Sequence, residues 1–194
     1  MLDFIKKALG EGGPSAERLN PSSGAAGGSE ISVVTEEGLS GGVTKASCEM
    51  LAKASELAAK VGGYVTAIYG GGEKPEELVV RGADRVVLLQ EADPRDYMAY
   101  ADALMRLVTE RRPWAVLAPS TSYGRDVLAR AAARLGLAAD CVNLDVVGGR
   151  LAQFKPAFGG AVVSVIYSKT TPYMATARPG MFPPIPPTTE GGGR

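Results

Sequence analysis

The sequence predicts an α/β domain with a parallel sheet, helices on both faces of that sheet, and an antiparallel sheet near its C-terminal end. Short apolar runs without polar alternation recur between residues 31 and 118, as expected of strands that helices cover on both faces. Helical patterns separate these runs with short connections, which favours right-handed crossovers and a parallel sheet. After Gly136, strand-like runs follow one another without a helical pattern between them, which favours antiparallel pairing.

The first part of the chain alternates four predicted strands with four predicted helices. Thr44 is the candidate N-cap of the first helix, and Gly62 with Gly63 ends it. The third helix is predicted to begin at Asp93. The strands cover residues 31–34, 64–69, 85–89 and 114–118. The helices follow them over residues 45–61, 75–81, 93–112 and 127–137.

The last third of the chain reads as four further strands. Residues 141–147 and 150–155 flank Gly148-Gly149, a dipeptide typical of a two-residue hairpin loop. Residues 161–167 and 173–178 add two strands, and we expect this third to be mostly antiparallel. Residues 183–194 are rich in Pro and Gly and resemble an interdomain linker. Residues 1–29 are predicted to be a flexible leader, since they hold little apolar surface to bury.

The composition excludes several functional classes. The 21 Lys and Arg residues balance the 21 Asp and Glu residues among 194, so a polyanionic partner such as nucleic acid is not expected. The sequence has no histidine, the most common general base and metal ligand, and we predict neither an enzyme nor a metal site. Cys48 and Cys141 are predicted to be reduced core thiols. No apolar run reaches the roughly 20 residues of a membrane span, and we expect a cytoplasmic protein.

The loop after the fourth strand is the candidate ligand site. A strand, a small-residue loop and a helix N-terminus follow one another here, the order with which α/β proteins hold a ligand at the carboxyl ends of strands. Unsatisfied N–H groups and the helix dipole favour an anion such as a nucleotide phosphate. The simpler interpretation is that one hydroxyl caps the helix. The predicted cofactor-binding residues are Ser120, Thr121, Ser122, Gly124 and Arg125.

Neighbouring residues leave two interpretations open. Arg125 could meet a phosphate or form a structural ion pair with Asp126 in the first turn of the helix. Tyr97, Tyr100 and Tyr123 lack the spacing of a base-stacking platform, and we interpret them as amphipathic residues at the edge of the core.

Five stretches together resemble one known family. They include the loop of residues 120–126 and the alanine-rich helix of residues 127–137, and they follow the family's order over about residues 30–183. The other three are Gly82-Ala83-Asp84-Arg85-Val86, Lys155-Pro156-Ala157-Phe158-Gly159-Gly160 and Ala177-Arg178-Pro179-Gly180-Met181-Phe182. With these stretches the chain resembles the N-terminal domain of the electron transfer flavoprotein alpha subunit.

The resemblance implies a three-layer α/β/α, Rossmann-like fold of the adenine nucleotide alpha hydrolase-like type, with a small C-terminal antiparallel sheet. It assigns residues 30–182 to the family's domain. It implies a scaffold role in electron transfer from acyl-CoA-type dehydrogenases, beside an electron transfer flavoprotein beta subunit, in fatty acid beta-oxidation. FAD would then bind at the level of the complex, mainly through a separate FAD-binding domain that we expect to lie outside this chain.

A second hypothesis treats the chain as a free-standing domain that binds an adenine nucleotide, with AMP as the candidate ligand. It rests on the same strand, loop and helix around residues 120–125, because one fold hosts many functions. Tight nucleotide binding without a partner would favour it.

Overall fold

The computed structural model describes residues 29–38, 41–71 and 75–186. Apart from Ser29, the predicted leader lies outside these residues. The described strands are β1 (Glu30–Val34), β2 (Tyr64–Tyr69), β3 (Arg85–Leu88), β4 (Ala115–Pro119), β5 (Ala138–Cys141), β6 (Asn143–Val147), β7 (Arg150–Ala157), β8 (Val162–Ile166) and β9 (Tyr173–Ala177). The described helices are α1 (Lys45–Val61), α2 (Glu76–Val80), α3 (Tyr97–Arg111) and α4 (Ser122–Ala131).

A six-stranded sheet in the order β3-β2-β1-β4-β9-β5 forms the centre of the domain, and all its pairings are parallel. Every residue of β1, β4 and β9 is buried, which explains why these strands carry apolar runs rather than alternating patterns. The predicted parallel sheet is confirmed.

Two apolar clusters lie on opposite faces of this sheet and make three layers. One packs α1 and α2 against side chains such as Ile31 and Val33. The other packs α3 and α4 against Val34 and Val116. Both predicted core thiols are buried, with Cys48 4% and Cys141 0% exposed. The three-layer α/β/α architecture with a small antiparallel sheet is therefore confirmed.

The ends of α1 are as predicted. The Thr44 hydroxyl accepts a hydrogen bond from the Ser47 N–H at 3.3 Å. Gly62 ends the helix in the left-handed conformation, with φ 64°. None of the helices in residues 29–38, 41–71 and 75–186 combines the length and apolarity needed to cross a bilayer.

The predicted bounds of the other two long helices differ from the observed ones. The helix expected from Asp93 begins at Tyr97, because the Asp93 carboxylate binds Arg95 in a preceding turn and Asp96 provides the cap. The helix expected over residues 127–137 begins earlier, at Ser122, and ends at Ala131. The chain has to turn there in order to enter β5 at the edge of the sheet.

The expectation that the last third is mostly antiparallel is wrong for two segments. Residues 141–147 do not form one strand, because the chain leaves the central sheet after Cys141 and enters the second sheet at Asn143. Strand β9 lies between β4 and β5 and is parallel to both. Sequence patterns report a strand's burial and not its partners, so neither feature was visible in the sequence.

The second sheet has the order β6-β7-β8 and is antiparallel throughout. Gly148 and Gly149, with φ 58° and 75°, form the predicted hairpin loop between β6 and β7. The turn Phe158–Gly160 joins β7 to β8. We call this sheet together with that turn the arm.

The segment after β9 lies against α1 and α2. The Gly180 N–H donates to a Glu49 carboxylate oxygen at 2.6 Å, and the Arg81 side chain donates to the Ile185 carbonyl at 3.1 Å. Residues 183–186 of the predicted linker thus lie near the domain, whereas residues 187–194 are outside the described part. The proposed domain boundaries stay predictions.

Candidate functional site

The carboxyl ends of β1 and β4 meet at the point where the order of strands reverses. From β1 the chain continues to β2 and β3 on one side and then returns to place β4 on the other side. In open parallel sheets this reversal point leaves a crevice in which ligands bind. The predicted hydroxyl loop follows β4 directly and therefore lies at this crevice.

Thr121 caps helix α4 at this crevice. Its hydroxyl accepts a hydrogen bond from the Gly124 N–H at 2.9 Å. A Cβ atom on Gly124 would lie 2.2 Å from the Pro119 carbonyl oxygen, so only glycine allows the helix to start this close to the end of β4. Thr121 therefore agrees with the simpler interpretation of the loop, in which one hydroxyl caps the helix.

Glu36 is the residue that sequence reasoning missed. Its Oε1 accepts hydrogen bonds from the Thr121 hydroxyl and, at 3.2 Å, from the Gly124 N–H. Its own N–H donates to the Ser47 hydroxyl at 2.9 Å, which fixes the carboxylate from the α1 side. A carboxylate two residues beyond a buried strand was the available signal.

The Glu36 carboxylate therefore occupies the position that an anionic ligand would take at the α4 N-terminus. Burial raises the pKa of Glu36, and the hydrogen bonds from Thr121 and Gly124 oppose that increase. The helix N-terminus is thus neutralised by a side chain of the same protein.

The other predicted residues have separate environments. The Ser120 hydroxyl accepts a hydrogen bond from Thr176 Oγ1 at 3.2 Å, and Ser122 is exposed in the first turn of α4. The Arg125 guanidinium donates to the Thr121 carbonyl at 3.3 Å. The predicted Arg125–Asp126 ion pair is wrong, because the Asp126 carboxylate pairs with Arg130 one turn along the helix, at 3.0 Å.

Three tyrosines lie beside the crevice. The Tyr123 ring packs edge-on against Tyr97 with centroids 5.3 Å apart, and its centroid is 6.1 Å from that of Tyr100. Tyr100 is 0% exposed, so its assignment to the edge of the core is wrong. Burial raises the pKa of Tyr100 to about 12. These rings pack on one another beside the first turn of α4.

The residues at this crevice do not fit the pyrophosphate of FAD. The Gly124 N–H and the Thr121 hydroxyl, which would have to hold the phosphate oxygens, are both bonded to Glu36. An added phosphate would meet the negative charge of that carboxylate. The cofactor-binding role predicted for Ser120, Thr121, Ser122, Gly124 and Arg125 stays a prediction.

The arm differs from the crevice in carrying exposed apolar side chains. All five residues of β8 are exposed, among them Val162 at 50% and Val163 at 47%. Phe158, in the turn that precedes β8, is 87% exposed. A row of exposed apolar residues on an edge strand is a feature that monomeric proteins avoid.

Comparison with known proteins shows the family. Residues 31–194 match the electron transfer flavoprotein domain. The chain is 38% identical over 156 residues to the electron transfer flavoprotein subunit alpha of Clostridium acetobutylicum, covering 75% of this chain and 46% of that protein. It is 37% identical over 160 residues to protein FixB of Clostridium saccharobutylicum, covering 78% and 47%. The chain belongs to the electron transfer flavoprotein domain family.

A more distant relative in the same family is the lactate dehydrogenase (NAD(+),ferredoxin) subunit LctC of Acetobacterium woodii. It is 34% identical over 143 residues, covering 69% of this chain and 34% of that protein. The chain thus spans about half the length, or less, of these curated relatives. The resemblance to the N-terminal domain of an electron transfer flavoprotein alpha subunit is confirmed.

Two of the stretches that carry the family resemblance, residues 155–160 and 177–182, meet in space beside Asp140. The Arg178 guanidinium, after β9, binds the Asp140 carboxylate at the end of β5, at 2.6 Å. This hydrogen bond lowers the pKa of Asp140. Lys155 and Phe158, at the base of the arm, line the same cavity as this pair. The family's characteristic residues therefore converge where the arm joins the parallel sheet.

Proposed function

We propose that this chain is the scaffold part of an alpha-type subunit of an electron transfer flavoprotein, and that its arm docks the beta subunit. The observation that carries the proposal is strand β8, in which every residue is exposed although four of the five are Val or Ile. Covering such a strand removes apolar surface from water and satisfies its free edge.

The names of the relatives suggest which protein binds this surface. One similar protein is named an electron transfer flavoprotein subunit alpha, and another, from Anaerotignum propionicum, is named an acryloyl-CoA reductase electron transfer subunit beta. Because these names describe components of assemblies, an electron transfer flavoprotein beta subunit is the proposed partner. A second copy of this chain is the competing occupant.

In this proposal the chain binds and orients, and it has no redox group of its own. FAD supplies the electron transfer when the complex is assembled, and a domain outside residues 1–194 holds it. The crevice at β1 and β4 supports this assignment, because Glu36 already fills the helix N-terminus that would hold a phosphate. The proposed location is the cytoplasm.

Acyl-CoA-type dehydrogenases of fatty acid beta-oxidation are the proposed electron donors. The assembled complex should take electrons from an acyl-CoA dehydrogenase supplied with its substrate, seen as bleaching of the flavin absorbance. Bleaching by a lactate-oxidising partner alone would contradict this choice of donor, although it would leave the scaffold role intact.

Co-expression tests the scaffold role. Produced with an electron transfer flavoprotein beta subunit and a FAD-binding domain, the chain should elute as a stable heteromer carrying flavin, with its mass measured by light scattering. Produced alone, it should be colourless. Monomers under all conditions, self-dimers formed in preference to the heteromer, or stoichiometric flavin in the isolated chain would each contradict the proposal.

The alternative, a free-standing adenine-nucleotide-binding domain, gains no support from the geometry. The groups predicted to meet the nucleotide are bonded within the chain, as described for Thr121 and Gly124. Nucleotide binding by this domain stays a prediction, and calorimetric titration of the isolated chain with AMP, ATP and FAD measures that binding directly.

A further inference from the structure

A cleft runs between the arm and the parallel sheet, with Lys155 at its centre. On one side of Lys155 lies a cavity of about 320 Å³ that is also lined by Lys169, Ser168 and Thr170. On the other side lies a cavity of about 360 Å³ that is also lined by Arg178 and the turn Phe158–Gly160. Cavities of this size accommodate small molecules rather than a dinucleotide. We call the two cavities the Lys155 cleft.

The charges of the cleft are not balanced. Asp140 is the one carboxylate that lines either cavity within the described residues, and both its oxygens bind Arg178, at 2.6 and 3.2 Å. Lys155 and Lys169 have no hydrogen-bond or ion-pair partner among residues 29–38, 41–71 and 75–186. Lys155 is a partly buried residue and Lys169 is exposed, and a bound anion would supply the counter-charge that these two ammonium groups lack.

Two further features border the cleft. The Phe158 backbone is left-handed, with φ 50°, a conformation that side-chain-bearing residues adopt mainly at turns and binding sites. Gln153 is 0% exposed and donates to the Ser168 hydroxyl at 3.2 Å. The Gln153 amide oxygen has no hydrogen-bond partner within the described residues. The cleft therefore combines free positive charge with an unsatisfied polar group directly behind its wall.

We propose that the Lys155 cleft binds a small anion through a carboxylate or phosphate group. Lys155 makes the central contact, with Lys169 on one side and the turn Phe158–Gly160 on the other. The apolar side chains of Leu137 and Ile166, which line the first cavity, receive the non-polar part of the ligand. The site shares Ile166 and the turn Phe158–Gly160 with the arm, whereas Val163 and Val165 lie on the other face of β8 from Ser164, the partner of Lys155 in the sheet.

Calorimetric titration of the full chain in low-salt buffer tests the site with three probes: inorganic phosphate, pyrophosphate and succinate. We expect saturable binding at one site, weakened about tenfold or more by Lys155→Ala and held within about threefold by Lys155→Arg. Lys45→Ala, which removes an 80% exposed side chain on α1, is the control and should leave the affinity unchanged.

The probes also separate the two chemical sources of the anion. Binding of phosphate or pyrophosphate alone identifies a phosphate-bearing ligand, and binding of succinate alone identifies a carboxylate. Absence of saturable binding by any probe, or binding that Lys155→Ala leaves unchanged, overturns the proposal.

A second measurement uses the unaltered chain and so does not depend on the folding of a variant. Lysines are acetylated with an amine-reactive ester with and without the anion, and the rates are read by peptide mass spectrometry. The anion should slow the modification of Lys155 and Lys169 and leave that of Lys45 unchanged. Equal slowing at all three lysines would contradict a specific site.

Discussion

At the carboxyl edge of β1 and β4, the Glu36 carboxylate, the Thr121 hydroxyl and the Gly124 N–H bond to one another. In the arm, by contrast, all five residues of β8 are exposed and four of them are Val or Ile. The first region resembles a ligand site by its place in the fold, yet the donors at its helix N-terminus are already bonded to Glu36. The arm has no catalytic or ligand-binding motif, yet its apolar surface is left exposed. For this reason we place the proposed function at the exposed apolar surface of the arm and not at the crevice.

The largest expected effect is on association through the arm. The double substitution Val163→Lys/Val165→Lys places two charges on one face of β8, and burying them in an interface is costly. Affinity for the beta subunit should fall at least about 100-fold while the free energy of unfolding changes by less than about 0.5 kcal/mol. Biolayer interferometry and urea unfolding measure the two quantities.

Val79→Lys is the matched control for that substitution, because Val79 is 53% exposed and lies on α2, away from the arm. It should leave both the affinity and the stability unchanged. If Val79→Lys weakens association as much as the double substitution does, the partner does not select the arm.

A substitution at the crevice should instead affect stability and leave association unchanged. Gly124→Ala puts a Cβ atom 2.2 Å from the Pro119 carbonyl oxygen, so α4 has to shift from the end of β4. We expect a loss of about 2–3 kcal/mol in the free energy of unfolding, measured with urea, and unchanged affinity for the beta subunit. Ser122→Ala, at an exposed position of the same turn, should change the stability by less than about 0.5 kcal/mol. Full stability of Gly124→Ala would show that α4 does not pack so closely.

Thr121→Ala should have a smaller effect in the same region. It removes both the cap of α4 and the hydroxyl donor to Glu36, which costs about 1–2 kcal/mol of stability. Thr121→Ser keeps the hydroxyl and should restore most of the loss. Equal destabilisation by the two variants would point to the lost methyl group instead of the hydrogen bonds.

The smallest expected effect is a pH dependence. Because the pKa of Glu36 is raised in the folded protein, the native state holds this proton more tightly than the unfolded chain does. The stabilisation that protonation gives is complete below the ordinary Glu pKa and is lost as the pH rises through the folded pKa. The free energy of unfolding of the unaltered chain, minus that of Glu36→Gln, should therefore decrease from about pH 4 to about pH 8.

Glu37→Gln, an exposed carboxyl one residue along, is the control for that measurement. The pH dependence of the free energy of unfolding that remains in the Glu37→Gln variant is the part that we assign to Glu36. A difference that increases with pH would mean that the hydrogen bonds from Thr121 and Gly124 outweigh burial.

The sequence was most informative where local chemistry decides the structure. The cap at Thr44, the end of α1 at Gly62 and the hairpin at Gly148 and Gly149 depend on a few neighbouring residues, and all were predicted. The place of the candidate loop at the carboxyl end of a strand followed from the alternation of strands and helices, whereas the strand order that puts it at the reversal point came from the structure.

The missed features depend on contacts between distant parts of the chain. Glu36 meets Thr121 across 85 residues, so no local pattern could show that a carboxylate fills the α4 N-terminus. Strand β9 has the same buried apolar pattern as a central strand, but its insertion between β4 and β5 is a matter of topology. The exposure of β8 could not be read either, because Val and Ile in a strand ordinarily indicate burial.

Hydrogen exchange of the amides of Val162–Ile166, in the free chain and in the complex with the beta subunit, tests the central claim most directly. The account predicts that these amides become the most strongly protected upon binding, while those of α2 keep their exchange rates. Unchanged exchange in β8, with new protection confined to another surface of the domain, would contradict it.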